Sequence, residues 1–163
     1  MTISLRDVLQ LDCLSDLEVI SGHGGLDNNI ENVNVIEIPN IEEWLRKNEL
    51  IITAFHAIGN NKSDCLNLIK KMVQTGVPGL VIAPEFYLEK SDDYINDIIE
   101  LSNSLNFPII KLSTQRTYSD IIKIILEKIF EENLRIKWEE KKKEFFYSLL
   151  HGKYKTINKI LKL

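Results

Sequence analysis

The pattern of this chain predicts an α/β fold: a mostly parallel sheet flanked by helices, with an antiparallel N-terminal edge and a long C-terminal exit helix. Three observations carry that reading. The short, nearly continuous apolar run Leu50–Thr53 reads as a strand buried on both faces, Gly79–Ala83 as a buried strand and Pro108–Leu112 as another strand. Amphipathic stretches of helical length lie between them, which is the spacing of βαβ units. After Phe130 the chain becomes highly charged and lacks Gly and Pro until Gly152, the pattern of a helix leaving a domain.

Each element has a local cause. Ser4 caps a first helix with Asp7 at the third position, a variant of the capping box, and Leu5, Val8 and Leu9 share its inner face. Leu17–Ile20 alternates like a short strand and ends in the turn cluster Ser21–Gly25. Glu31–Ile38 reads as another strand, stopped by Pro39, which cannot donate to a ladder. The segment 17–38 is therefore expected at an antiparallel edge. Asn40, with Glu43 three residues on, is expected to cap a short helix in which Trp44 packs inward. Ser63 opens a helix closed by Gly76, with Leu66, Ile69, Met72 and Val73 at helical spacing. Ser91 opens the next, with Tyr94, Ile95, Ile98, Ile99, Leu101 and Leu105 inside. Thr117 or Ser119 begins a last helix whose stripe is Ile121, Ile122, Ile125, Leu126 and Ile129.

Composition narrows the function classes. The two cysteines, Cys13 and Cys65, have no metal-ligand or disulfide-framework spacing, and no His or Cys partner stands near His23, His56 or His151. No metal and no cofactor is expected. The first residues lack a basic region followed by an apolar run, and no segment is apolar enough to span a bilayer; a cytoplasmic location without membrane contact is expected. Residues 1–130 hold 11 basic and 19 acidic side chains, whereas 131–163 hold 9 and 5. An acidic body of this kind is a poor grip for a phosphate backbone. Two units follow from this asymmetry: a domain over 1–130, and a helical linker with the start of a further domain over 131–163.

The glycines at 22, 24 and 25 suggest a phosphate loop, but a strand rather than a helix follows them, so a tight connection explains them better. His56 follows the buried strand 50–53. In open α/β sheets ligands bind at the carboxyl ends of strands, where Thr53, His56, Pro84, Glu85, Gln115 and Arg116 would gather. The ligand candidates are Glu49, Thr53, His56, Glu85 and Arg116, although an ordinary loop histidine also satisfies position 56. No nucleophile motif is present, and the adjacent pairs Glu42–Glu43 and Asp92–Asp93 suit first-turn helix charges; an enzyme is not expected. Leu134, Trp138, Phe145 and Leu149 recur at intervals of 4, 7 and 4 residues, a stripe that fits either a solvated linker helix or a dimer seam. Ile157, Ile160 and Leu161 form a further amphipathic fragment.

Residues 33–53 join a strand, a proline stop, a short helix and a second strand. They supply Glu37, Pro39, Asn40, Trp44, Leu45, Glu49, Leu50 and Thr53. In this order and spacing they resemble the central motif of the purine catabolism regulator N-terminal domain, the PucR-like family of bacterial transcription factors. The resemblance extends over residues 3–130 and includes Leu5–Leu9, Gly25–Asp27, Gly76–Leu80 and Leu105–Ile110. It departs after Thr53: where the family often has Thr-Thr-Gly, this chain has Thr53-Ala54-Phe55. A glycine there would allow close backbone approach to a ligand, so Phe55 changes or closes the site. The resemblance implies a regulatory domain that binds a small-molecule effector or a partner. It would signal through its C-terminal helix to a helix-turn-helix outside these residues, the only part expected to contact DNA. A homodimer is expected. A dimerisation or scaffold module without a ligand is the alternative.

Overall fold

The computed structural model describes residues 3–57, 60–113 and 115–161. In chain order the first elements are β1 (Ile3–Ser4), α1 (Leu5–Leu9), β2 (Glu18–Ser21), β3 (Asn29–Ile30), β4 (Asn32–Val35) and β5 (Glu49–Thr53). They are followed by α2 (Lys62–Thr75), β6 (Leu80–Ile82), α3 (Pro84–Glu89), α4 (Asp92–Ser104), β7 (Ile109–Lys111) and α5 (Tyr118–Ile160). Residues up to Ile129 form one compact unit and those from Phe130 onward a second.

The main sheet has the order β2-β7-β6-β5-β4. Strands β4 to β7 pair in parallel, and β2 adds antiparallel to β7 at one edge. The α/β expectation holds, with one revision. Segment 17–38 does not lie together at a single edge: β2 takes one edge, while β4 takes the other and runs parallel to β5. The 13 residues between Val35 and Glu49 are long enough for a parallel return, even though they contain only a 3-10 turn, Ile41–Glu43, in place of a helix. A small second sheet pairs β1 with β3.

Alternation along the buried strands divides the core into two layers. Ile51, Leu80, Ile82 and Ile109 face α2 and α4, meeting Leu68, Ile69, Met72 and Ile98. Leu50, Ile52, Val81 and Ile110 face α1 and α5, meeting Leu5, Val8, Ile121 and Ile125. Each fully buried Leu or Ile of this kind stabilises the fold by about 1.5–3 kcal/mol relative to an exposed one. Strand β5 has no exposed residue, as a continuous apolar run demands.

Local capping mostly follows the residue types. Ser4 and Asp7 form the capping box of α1: the Asp7 amide donates to Ser4 Oγ at 3.1 Å, and the Ser4 amide donates to Asp7 Oδ2 at 2.9 Å. Helix α2 is capped by Asn61, not Ser63; Asn61 Oδ1 accepts from the amides of Ser63 and Asp64. Thr117 precedes α5: its hydroxyl donates to Asp120 Oδ2 at 2.8 Å and accepts from the Asp120 backbone amide at 3.2 Å.

Around the 3-10 turn the structure departs from expectation. Asn40 makes no side-chain cap; its amide instead donates to Glu43 Oε2 at 2.9 Å. Ile41 in the turn and Leu45 just beyond it are buried in the core, and Trp44 between them is 54% exposed rather than buried. Leu126 is also exposed; the inner stripe of α5 is Ile121, Ile125 and Ile129, with Ile122 half-buried against the same layer. Helix α3 was not expected; Pro84 at its first turn is its sequence signal. In the second unit Leu134, Trp138, Phe145 and Leu149 are exposed. The side chains of Ile157 and Ile160 lie outside the described residues.

Candidate functional site

At the carboxyl ends of the parallel strands a cleft of about 320 Å³ opens between three loops. His56 comes from the turn after β5, Glu85 from the start of α3, and Ser113 and Arg116 from the loop after β7. Thr117 and Tyr118, where α5 begins, complete the wall. Of the five ligand candidates, His56, Glu85 and Arg116 share this cleft.

The other two lie elsewhere. Thr53 is 1% exposed and sits beneath the turn, where its hydroxyl donates to Glu37 Oε1 at 3.0 Å. Glu49 starts β5, roughly 13 Å from Thr53 at the usual strand rise. The residue is 7% exposed, and its carboxylate accepts from Asn32 Nδ2 at 2.9 Å and Asn34 Nδ2 at 3.4 Å, tying β5 to its neighbour β4. The backbone amide of Gln115 donates to Ser113 Oγ at 3.3 Å.

Arg116 enters the cleft already engaged. Its Nε donates to both oxygens of Asp16 at 2.7 and 2.8 Å, and its Nη2 donates to the Cys13 carbonyl. Burial works against the Asp16 charge, but the bonds from Arg116 prevail and hold that carboxyl below the usual range. The Tyr118 hydroxyl is pushed up, first by burial and then by the negative charges of Glu37 and Glu85. No hydrogen bond or ion pair engages Glu85 or the His56 ring among the described residues. The cleft thus offers a free carboxylate, a free imidazole and a phenol, with its guanidinium locked in place.

The turn before His56 bears on the site directly. Phe55 has φ +58, in the left-handed region where a glycine is at ease. Its side chain leaves the cleft and is buried, with the ring centroid 5.2 Å from that of Phe86. Phe55 therefore takes the backbone conformation of a glycine while filling core volume, and it does not block the cleft with its ring.

Two other hollows are explained by local structure. One, of about 500 Å³, lies at the amino ends of the strands beside Gly76, Lys47 and Asn106. Gly76 (φ +84) and Asn106 (φ +49) are the left-handed residues that end α2 and α4. The glycine cluster belongs here as well. A Cβ at Gly22 would stand 1.9 Å from the Phe107 carbonyl oxygen, so the turn serves close packing, and β3 rather than a long helix follows it. The third, of about 440 Å³, lies between Pro39, Glu42, Asp64 and Lys71. Among the described residues no group of His, Cys, Asp or Glu side chains could hold a metal ion, and no helix is long and apolar enough to cross a membrane.

A mostly parallel five-stranded sheet flanked by helices, with an open polar cleft at the carboxyl ends of its strands, places the domain in the α/β class. The sequence model of the Purine catabolism regulatory protein-like family matches residues 7–129, and the chain belongs to that family. It is 31% identical over 129 residues to the purine catabolism regulatory protein of Bacillus subtilis (strain 168), covering 79% of this chain and 24% of that protein. It is 24% identical over 115 residues to the transcriptional activator PmfR of Paenarthrobacter nicotinovorans, covering 71% of this chain and 23% of that one. The chain thus spans about a quarter of the length of these curated relatives. The family match ends at Ile129, where the first compact unit also ends.

Proposed function

We propose that residues 1–130 are the sensor domain of a cytoplasmic bacterial transcription regulator. The domain binds a small metabolite in the carboxyl-end cleft, has no catalytic role, and signals through α5. Residues 131–163 are the linker and the beginning of a following domain, and DNA is contacted only by a domain outside this chain. The observation that carries the reading is the position of Thr117 and Tyr118. They line the cleft and also begin the helix that runs to Ile160. A ligand there touches the first turn of the signalling element, so it can favour one arrangement of that helix over another. The naming of both relatives as regulators supports the same reading.

A thermal melt of the chain with purine-pathway metabolites tests this. A ligand at 100 times its Kd stabilises the folded state by about 2.7 kcal/mol, a clear rise in melting temperature. The rise is expected to disappear when Glu85 and His56 are both replaced by alanine. If none of these metabolites or other small effectors raises the melting temperature, the sensor reading fails.

A second reading is favoured by a separate observation. Trp138, Phe145 and Phe146 are each more than 60% exposed on α5, an apolar surface suited to a second copy of the chain. In this reading the chain is a dimerisation module. Residues 1–163 are then expected to run as a dimer on a sizing column and a fragment ending at Phe130 as a monomer; monomers in both cases rule the module out.

A further inference from the structure

Among the described residues, three non-glycine residues have positive φ: Asn48, Phe55 and Asn106. Asparagine tolerates the left-handed region, and Asn106 is there to end α4. Phe55 has neither excuse. A bulky residue held in this region is strained and persists only where its surroundings enforce it.

Glu37 supplies the enforcement. Its Oε1 accepts from the Thr53 hydroxyl at 3.0 Å and also from the Ala54 amide. The Thr53 oxygen in turn accepts from the Phe55 amide at 3.0 Å. Two successive amides at the end of β5 are thereby satisfied by one carboxylate and one hydroxyl. A hydrogen bond to a charged acceptor is among the stronger ones, and two such bonds converge on this turn to hold Phe55 in its strained conformation. The Glu37-Ile38-Pro39 order has a reason in this arrangement. A residue before proline is confined to extended conformations, so Ile38 fixes how the chain leaves Glu37.

His56 follows immediately. Its ring makes no hydrogen bond among the described residues, so its direction is set by the backbone of the turn that carries it. We propose that Glu37 is the positioning residue of the carboxyl-end cleft: it holds the Thr53–Phe55 turn in its left-handed form and so directs His56 into the cleft. The site is thus supported from β4's side of the sheet by a residue 16 positions earlier in the chain. The inference rests on the cleft being the ligand site, but its test needs no ligand.

The test is nuclear magnetic resonance of the free 163-residue chain, comparing Glu37→Ala, Glu37→Gln and Thr53→Val with the parent. Glu37→Ala is expected to shift the amide signals of Ala54, Phe55 and His56 and the His56 ring signals. Hydrogen-exchange protection of the Ala54 amide is expected to fall about tenfold or more, the loss of one charged hydrogen bond. Glu37→Gln is expected to return the ring signals toward the parent, because its Oε1 still accepts both bonds. A merely structural role would lower stability and leave the His56 ring signals in place; that result overturns the proposal. If Glu37→Ala does not fold, Thr53→Val decides. It keeps the carboxylate and deletes only the relay hydroxyl, and unmoved His56 ring signals in that variant overturn the proposal as well. Because the signals belong to the free protein, a failure to find any metabolite leaves this result standing.

Discussion

Replacing Phe55 by alanine is expected to destabilise the domain by about 3–5 kcal/mol, the usual consequence of removing a buried aromatic side chain. That is a large part of the roughly 5–15 kcal/mol by which domains are stable. The ring contacts Phe86, which in turn lies 5.7 Å from Tyr94, so the cavity opens in the middle of the layer built on α3 and α4. Glycine at the same position reverses the usual ranking. It leaves the same cavity, but it occupies φ +58 without the left-handed penalty of about 1–2 kcal/mol that alanine retains. Phe55→Gly is therefore expected to be more stable than Phe55→Ala by about 1 kcal/mol, read as a higher urea midpoint at unchanged slope. A glycine variant less stable than the alanine variant would mean that the turn at Phe55 is not left-handed.

The second large effect is at Gly22, where alanine is expected to cost about 3 kcal/mol or more. Its Cβ would lie 1.9 Å from the Phe107 oxygen and 2.1 Å from its carbonyl carbon. Both are backbone atoms of the segment entering β7, so no side-chain rotation relieves the overlap, and φ +66 adds strain. Gly76 is the control. Its φ is +84, but the nearest atom to a new Cβ is Lys47 Cγ at 3.1 Å, on a flexible side chain. Gly76→Ala is expected to cost about 1–2 kcal/mol, the left-handed term alone. Equal losses in urea unfolding would show that β2 and the 107–108 segment do not approach so closely.

Much of this architecture could be read in the chain because its causes are local. Strand β5 announces itself through Leu50–Ile52, a short apolar run of the kind a strand covered on both faces carries. The capping box at Ser4 and the glycine closing α2 are likewise written in adjacent residues. The rule that parallel sheets bind ligands at their carboxyl ends brought His56, Glu85 and Arg116 to one place, as the topology requires. What was not legible depends on long-range pairing. Trp44 looks like a core residue until its neighbours Ile41 and Leu45 are seen to fill the core in its place. The opposite edges occupied by β2 and β4 depend on which neighbours β7 and β5 select. Arg116 reads as a free cation because its partner, Asp16, is 100 residues away. Glu37 and Thr53 read as motif positions, and only the folded chain joins them.

Glu49 began as a ligand candidate, yet its two bonds to β4 have a different consequence. Asn32 and Asn34 are two positions apart, so both project from the same face of the strand, and the one carboxylate receives both. A slip of β4 by one residue would bring Val33 and Val35 to that carboxylate and turn the asparagines toward the apolar layer where Val33 now packs. The buried charge would lose both donors at once. Glu49 therefore acts as a peg for strand alignment: an outermost strand with a neighbour on one side only is kept from sliding by a single side chain on that neighbour.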